Sequence, residues 1–373
     1  MRSICFVNSD NYPVLNPEYG GHYIGGESVQ QTLLAREFAR QGWQVSMVCE
    51  DFGQPDGDVI DGIRVWKSFR SDAGLPILRF AYPRLYRTWR ALGRADADYY
   101  YQSCAGVATG FVAGFCRRHD RRMIFRIAHD TDCIPGGQLI RFSRDRRIYD
   151  WGLRNADLIS AQSDIQQDQL LENYQLKSTI TNMAVEIPEL EPHSQRDIDV
   201  LWVNNLREFK RPDILCEIAA EMPEVRFVMI GGAVVGHEDL HRSVEEAAAQ
   251  IPNLEYLGAV PYHDVNDYFL RAKLFVNTSD SEGFPNSFLQ AWVRQVPVIS
   301  FFDPDSIIKD REIGISPASP RDARDAINGL LDTDERRITM GVRAREFVVG
   351  GYSPAAVFGE YEEQIAAQVD SRL

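Results

Sequence analysis

The sequence predicts an α/β protein built from two parallel-sheet domains in series, and three observations carry that prediction. Short apolar runs of strand length alternate with helix-patterned segments from end to end. The alternation stops at a polar, proline-bearing stretch, residues 186–199, and then restarts, as at an interdomain linker. A length of 373 residues is enough for two cores of ordinary size. The implied domains are 1–187 and 198–353.

The first half opens with a strand over residues 3–8, which turns polar too soon for a signal peptide. A glycine-rich loop follows, from Gly20-Gly21 past His22 to Gly25-Gly26. The helix over 28–41 puts Val29, Leu33, Leu34 and Phe38 on one face and stops at Gly42. Strands are expected next over 43–49, 63–66, 99–102, 123–128 and 158–160. Residues 79–94 read as a helix whose Arg87, Arg90 and Arg94 share a face, with Leu85, Trp89 and Leu92 on another. Such a basic, aromatic-bearing helix suits an anionic membrane surface, or is an ordinary helix with solvated arginines. Arg117, Arg118, Arg121 and Arg122 add positive charge nearby.

The second half restarts with a strand over 199–203 and a helix from Pro212. Strands over 226–230, 254–257, 272–277 and 296–300 follow. Alternating strands and helices on short loops imply parallel sheets covered on both faces. Two such sheets place a ligand cleft at the carboxyl ends of their strands.

A net charge of −14 argues against nucleic acid as a partner. The charge is uneven: residues 1–190 carry 22 basic and 23 acidic side chains, leaving 18 and 31 to the remainder. The six cysteines show no metal-ligand spacing and sit mostly in apolar runs, which points to buried free thiols and a cytoplasmic location. The longest apolar run, residues 104–116, is broken by Gly106, Gly110 and Gly114 and falls short of a membrane span.

The stretch carrying most chemistry is Ser281-Glu282-Gly283-Phe284-Pro285-Asn286-Ser287-Phe288-Leu289-Gln290, between a buried strand and a helix-patterned run. A strand, a tight turn and a helix start present backbone N–H groups to an anion. Pro285 suits the helix entry, and Asn286 or Ser287 can cap it. Glu282 at the lip of the turn can accept hydrogen bonds from ligand hydroxyls. Upstream, Asn204-Asn205-Leu206-Arg207-Glu208-Phe209-Lys210-Arg211-Pro212 gathers three bases at the end of a buried strand, suited to a diphosphate or to capping and solvating a helix start. His129, at the end of the strand over 123–128, is the best titratable candidate in the first half, though a strand-end polar residue fits as well.

These residues resemble the retaining glycosyltransferases of the GT-B fold, the family 4 type, whose signature has two acids flanking seven other residues. Glu282 stands at the first and Gln290 at the second. Residues 204–211 resemble the family's Gly-Arg-Leu-x-x-x-Lys-Gly pattern, with Leu206 and Lys210 in register and Asn205 where the family has arginine. Gly25-Gly26-Glu27 and the helix after it resemble the family's opening, and Gly258-Ala259-Val260-Pro261-Tyr262 its base-binding turn. The resemblance implies two Rossmann-like doubly wound domains facing across a cleft, with a final helix over 354–373 packing back on the first, and transfer of a sugar from a UDP- or GDP-linked donor to an acceptor hydroxyl. It implies retention of anomeric configuration, no metal and no cofactor. It assigns Lys210, Glu282 and His129 to the chemistry. Donor binding falls to Gly25, Gly26, Asn205, Arg207, Lys210, Val260, Pro261, Glu282, Gly283, Phe284, Pro285, Asn286, Ser287 and Gln290. Acceptors of the family are sugars, lipid-linked or small molecules, which fits a peripheral place at the inner membrane face. Two other readings stay open: a nucleotide-sugar epimerase of the same fold, and a non-catalytic binding relative. The dinucleotide fingerprint of a dehydrogenase is absent.

Overall fold

Burial follows the apolar runs. The strand Ser3–Val7 is buried along its whole length, as a parallel strand covered on both faces must be. The computed structural model describes residues 2–19, 25–74, 80–190, 196–234 and 236–370, so Gly20, Gly21, His22 and Arg79 lie outside the described residues. Chain contacts divide the protein into two units, Met1–Ala184 with Pro354–Leu373, and Val185–Ser353.

The first unit holds strands β1 (Ser3–Val7), β2 (Gln44–Cys49), β3 (Val59–Ile60), β4 (Ile63–Lys67), β5 (Tyr99–Ser103), β6 (Arg122–Arg126), β7 (Leu158–Ala161) and β8 (Thr179–Ile180). They form one sheet in the order β3-β4-β2-β1-β5-β6-β7-β8, parallel except for the β3–β4 pair. Its helices are α1 (Asn11–Leu15), α2 (Gly26–Arg40), α3 (Tyr86–Ala95), α4 (Val107–His119), α5 (Ser143–Leu153) and α6 (Asp164–Tyr174). Helices α3 to α6 supply Ala91, Leu92, Val112, Phe115, Tyr149, Leu153 and Leu170 to a single apolar cluster with strand residues such as Phe125 and Ile159.

The second unit holds β9 (Ile198–Val203), β10 (Phe227–Ile230), β11 (Leu254–Tyr256), β12 (Ala272–Asn277), β13 (Val298–Ser300) and β14 (Gly314–Ile315). The sheet order is β11-β10-β9-β12-β13-β14, with every pair parallel. Its helices are α7 (Pro212–Ala220), α8 (Glu238–Ala248), α9 (Tyr262–Arg271), α10 (Asn286–Trp292), α11 (Ile307–Asp310), α12 (Pro320–Leu331) and α13 (Asp334–Val349). This is the doubly wound order, in which the chain leaves β9 in one direction and returns on its other side at β12. Ligands of such sheets bind at the carboxyl ends of the two strands flanking that reversal. In the first unit the corresponding neighbours are β1 and β5.

The last helix, α14 (Pro354–Asp370), belongs to the first unit. It packs on α2 through Phe38 and Phe358, with ring centroids 4.8 Å apart. Among the described residues, no helix is long and apolar enough to cross a membrane.

Two expectations are corrected, and three short strands join those expected. The helix expected over 79–94 is interrupted rather than continuous: Pro83 forces Tyr82 into extended backbone (φ −135°, ψ 125°) within a π-helical segment, Phe80–Leu85, and regular α-helix runs over Tyr86–Ala95. Trp89 still packs inward, against Phe111 and Phe115. Asn286 and Ser287 do not take the cap position of α10, which Pro285 occupies; both fall inside the helix. The edge strands β3, β8 and β14, two residues each, carry no alternating pattern to reveal them.

Helices α4 and α5 cross with backbone against backbone. A Cβ on Gly152 would lie 2.5 Å from the Gly110 nitrogen and 2.6 Å from its Cα. Gly152→Ala should therefore destabilise the first unit by about 1–3 kcal/mol, the usual cost of forcing a methyl into a filled contact. Urea unfolding followed by the fluorescence of the nearby Trp151 measures it, and an unchanged midpoint would refute the contact.

Candidate active site

The site of the second unit is assembled by the loops after β9 and β12. After β9 the chain makes a 3-10 turn, Glu208–Lys210, and Arg211 takes left-handed backbone (φ 49°) before Pro212 starts α7. After β12, Thr278 and Ser279 are buried, at 1% and 0% exposure, and the chain turns through Glu282, itself 6% exposed. The two loops are tied together. Trp202 Nε1 donates to Thr278 Oγ1 (3.0 Å), Thr278 Oγ1 donates to the Lys210 carbonyl (2.7 Å), and the Asp280 N–H donates to the Phe209 carbonyl (2.8 Å). This frame brings Lys210 Nζ onto Glu282 Oε1 as an ion pair. Ser279 Oγ donates to the same carboxylate oxygen at 2.7 Å. The Lys210 ammonium also lies 5.0 Å over the Phe209 ring.

The other bases of this run part company. Arg211 is committed to Asp213 (2.7 Å) and to Asp280 (3.4 Å), so it does not replace the arginine that Asn205 lacks. Among the described residues no carboxylate pairs with Arg207, which is half-buried. Leu206 is fully buried and anchors the loop in the core.

The neighbouring loops close around glycines. A Cβ on Gly231 would meet the Asn204 carbonyl at 2.5 Å, and one on Gly232 would meet Ala259 Cβ at 2.9 Å. The Gly231 N–H donates to the Gly258 carbonyl (2.9 Å), and Gly258 has φ 67°. This sets Val260, half-buried, and Pro261, exposed at the cap of α9, beside the ends of β10 and β11. Phe284 is buried against Trp292 and Tyr352, so only its backbone faces the turn. Pro285 and Ser287 are buried, while Gly283, Asn286 and Gln290 are half-buried. Gln290 Nε2 donates to Asn266 Oδ1 (3.2 Å), which uses one of its two N–H donors.

In the first unit, Gly25 is the cap residue of α2 and Gly26 its first residue. Glu27 follows, with its carboxyl raised by burial against the lowering effects of Arg126 and a bond from Ser103. His129 caps a 3-10 turn, Asp130–Cys133: its ring accepts from the Thr131 N–H, and Asp132 reaches back to the His129 N–H. Asp132 is 4% exposed, and burial pushes its carboxyl up to about 7 despite bonds from the Ala128 and His129 N–H groups.

Sequence reasoning named Lys210 and Glu282, which the fold brings into contact. It missed Thr278 and Ser279, whose bonds orient that pair, Asn266, which holds Gln290, and Asp132, which holds the turn at His129. Buried hydroxyls directly after an apolar strand were the available signal for Thr278 and Ser279; Asn266 and Asp132 had none.

Two family comparisons agree with this geometry. Residues 186–347 match the family "Glycosyl transferases group 1", and residues 25–179 match "Glycosyl transferase 4-like domain". An O-antigen biosynthesis glycosyltransferase of Escherichia coli, WbnH, is 26% identical over 148 residues, 38% of this chain and 41% of that protein. The chain thus spans about two fifths of the length of that curated relative. Among solved structures, HepE of Anabaena in complex with UDP and glucose superposes with a TM-score of 0.75 at 15% identity, over 98% of this chain and 100% of that one. A sucrose-phosphate synthase from Thermosynechococcus elongatus superposes with a TM-score of 0.77 at 16% identity, over all of both chains. At such identities these two show the fold: two Rossmann-like domains of the GT-B type.

Two outcomes follow from the site geometry. Lys210→Met leaves Glu282 buried without its cation and should cost about 3–5 kcal/mol in urea unfolding. The double variant with Glu282→Leu should recover most of that loss, and equal loss in both would refute the pairing. The second concerns pH. The Asp132 carboxyl binds its proton more tightly folded (about 7) than at its ordinary value of 3.8. Its contribution to stability is therefore full at the acid end of that window and lost as pH rises through it. The thermal midpoint of Asp132→Asn should show a flatter pH dependence across that range than the parent chain.

Proposed function

The chain belongs to the family of glycosyl transferases group 1, and from there we propose that it moves a sugar from a nucleotide diphosphate-sugar, UDP- or GDP-linked, to an acceptor hydroxyl with retention of configuration. The observation that carries this reading is the buried Lys210–Glu282 pair at the carboxyl ends of β9 and β12, the strands flanking the reversal in sheet order. A cation and a carboxylate held together there suit a ligand with a diphosphate at one end and hydroxyls at the other.

In this reading the bond from the anomeric carbon to the diphosphate oxygen breaks, and the acceptor oxygen takes its place on the same face. The acceptor proton passes to the departing diphosphate. Lys210, with Arg207 beside it, neutralises the charge that develops on the leaving group, without a metal ion. Glu282 accepts bonds from the sugar hydroxyls. The backbone N–H groups of Gly283, Phe284, Asn286 and Ser287 line the sugar and phosphate, with Pro285 shaping the turn. Gln290 meets the ribose through its carbonyl, Val260 and Pro261 lie against the base, and Asn205 replaces a charged contact with a neutral one. Gly25 and Gly26, at the start of α2, and His129, after β6, are the first unit's candidates for ligand contact. Because the pair is already formed, little reorganisation is needed at the moment of reaction. The O-antigen relative supports a role in polysaccharide or glycoconjugate synthesis.

The cytoplasmic face of a membrane is the proposed location. Tyr82 and Tyr86 are 60% and 52% exposed beside the solvent-facing Arg87 and Arg90. Arg94, by contrast, is tied to Asp56 and stacked on Trp66. On the other side of α4, α5 presents Arg144, Arg147, Trp151 and Arg154 as one exposed stripe, preceded by exposed Leu139 and Phe142. Arginines around exposed aromatics suit an anionic bilayer surface.

Thermal-shift titration with UDP, GDP and ADP tests the donor site: one nucleotide should stabilise the chain, and Lys210→Ala should abolish the shift. Turnover on an acceptor panel, with the product anomer read by NMR in EDTA, tests the chemistry. Glu282→Gln should lower kcat/KM by roughly 10²-fold. Inversion, or dependence on a divalent ion, would sink the mechanism. Release of free sugar or epimer without acceptor favours the epimerase, and nucleotide binding without turnover favours a binding module. Flotation with vesicles containing phosphatidylglycerol should carry the chain, and neutral vesicles should not.

A further inference from the structure

We propose that the edge of the first sheet, at β8, is a docking site for an extended, arginine-bearing peptide segment, which adds to β8 as a further strand and sets its guanidinium beside Glu363 and Glu360. This concerns the first unit alone and stands apart from the glycosyl-transfer reading. In the sheet, β6 and β7 separate β8 from β1 and β5, the strands whose ends suit a ligand.

Backbone pairing leaves one residue of β8 unused. In a parallel strand, alternate residues turn their N–H and C=O groups to the same neighbour. Thr179 lies opposite Ser160 of β7, and the Thr181 N–H donates to the Ala161 carbonyl (3.0 Å), so 179 and 181 face β7. Ser178, Ile180 and Asn182 face away from it. The Ser178 carbonyl accepts from Gln167 Nε2 of α6 (2.8 Å), and the Asn182 N–H donates to Glu360 Oε2 of α14 (2.8 Å). These helices close the edge at 178 and 182 and leave the Ile180 N–H and C=O open between them. Such open groups are the template to which an extended chain adds.

A groove of about 450 Å³ lies at this gap, lined by β8, by Gln167, and by Glu360, Glu363 and Gln364 of α14. Its chemistry calls for a cation. No lysine or arginine lines it, and the neighbouring Lys177 is exposed outside it. Glu363 is exposed and pairs with no cation among the described residues, while Glu360 is held by both N–H groups of Asn182 (2.8 and 2.9 Å). Burial raises the Glu360 carboxyl, Asn182 and Arg126 lower it, and Glu363 adds like charge. A cation in the groove relieves that repulsion. Gln364 Nε2 donates to Thr181 Oγ1 (3.0 Å), and Gln364 Oε1 and Ser178 Oγ are buried without partners. An arginine brings charge for the carboxylates and N–H donors for Gln364 Oε1, while its own backbone pairs with Ile180. A second copy of this chain does not fit, because edge-to-edge pairing at β8 would set the carboxylates of both copies together.

The test uses the full chain and a short fluorescein-labelled peptide of alternating valine and arginine. Anisotropy titration should show saturable binding, and hydrogen-exchange mass spectrometry should show slowed exchange over residues 178–182. Glu363→Lys, at an exposed position, should keep the thermal midpoint and weaken binding roughly tenfold or more. Ile180→Pro, which removes the open N–H, should weaken it likewise. The same peptide N-methylated at its valines, titrated against the parent chain, tests strand pairing without altering the fold, and it should bind as poorly. No saturable binding, or binding that Glu363→Lys leaves unchanged, would overturn the proposal. Equal binding of the N-methylated peptide, or exchange unchanged over 178–182, would show a groove that takes a cation without adding a strand, and the docking site would fall. So would displacement of the peptide by spermine as readily as by its own unlabelled form. A parent chain that dimerises in sedimentation, with protection over 178–182 and no peptide bound, would assign the edge to a second copy instead.

Discussion

The second unit is organised around one buried ion pair. Lys210 and Glu282 come from loops 72 residues apart in sequence, and neither side chain has much solvent to fall back on, at 14% and 8% exposure. Desolvating two such charges costs about as much as their attraction returns, so the pair is a poor source of net stability. What it requires is a frame. The bond relay from Trp202 through Thr278 to the Lys210 carbonyl, the Asp280–Phe209 backbone bond and the Ser279 hydroxyl on Glu282 supply that frame. Each would be pointless without the charges it holds. The pair is therefore held by hydrogen bonds of its own loops, the preorganisation that the proposed stabilisation of a leaving group would use.

The first unit solves a related problem around Arg126, which is 1% exposed at the end of β6. Its guanidinium donates to the Asn182 carbonyl and to Tyr361 Oη, both at 3.2 Å. Tyr361 Oη in turn donates to Ser160 Oγ (3.2 Å) and shares a bond with Tyr101 Oη (3.1 Å). Asn182 donates to Glu360 through both its backbone N–H and its side-chain amide. A charge buried among hydroxyls and carbonyls is satisfied only if every partner stays in place. The returning helix α14 thus completes the polar interior of a sheet whose strands all lie in the first half of the chain. Glu27, whose carboxyl is raised by burial and answered by Arg126, joins this interior to the start of α2.

Much of the architecture was legible in the sequence because parallel strands buried on both faces read as continuous apolar runs. The strands β1, β2, β9 and β12 fall within a residue or so of where composition places them. Local chemistry was legible too where it acts locally: Pro212 starts α7, and Pro285 precedes α10. The misjudged elements are those where two local signals compete. Arginine and aromatic periodicity suggested an unbroken helix through Pro83, but the proline constrains the residue before it, and the helix is broken at Tyr82. Asn286 has a capping side chain, yet the turn places it one position inside the helix.

By itself the sequence determined the succession of strands and helices, the glycines where backbones touch, and the residue types available at each loop. Those follow from short-range sterics and from burial, which act along a few residues at a time. Tertiary structure decided which of the bases after β9 meets Glu282, because that depends on loops brought together by strands β9 and β12 lying side by side. It turned Arg211 outward to Asp213 and Asp280, gave Gln290 a partner in Asn266, and set the Thr131 N–H against the ring of His129. A hydrogen bond is satisfied at about 3 Å and in one direction. No pattern along the chain encodes such a meeting until the sheet order has fixed which residues are neighbours.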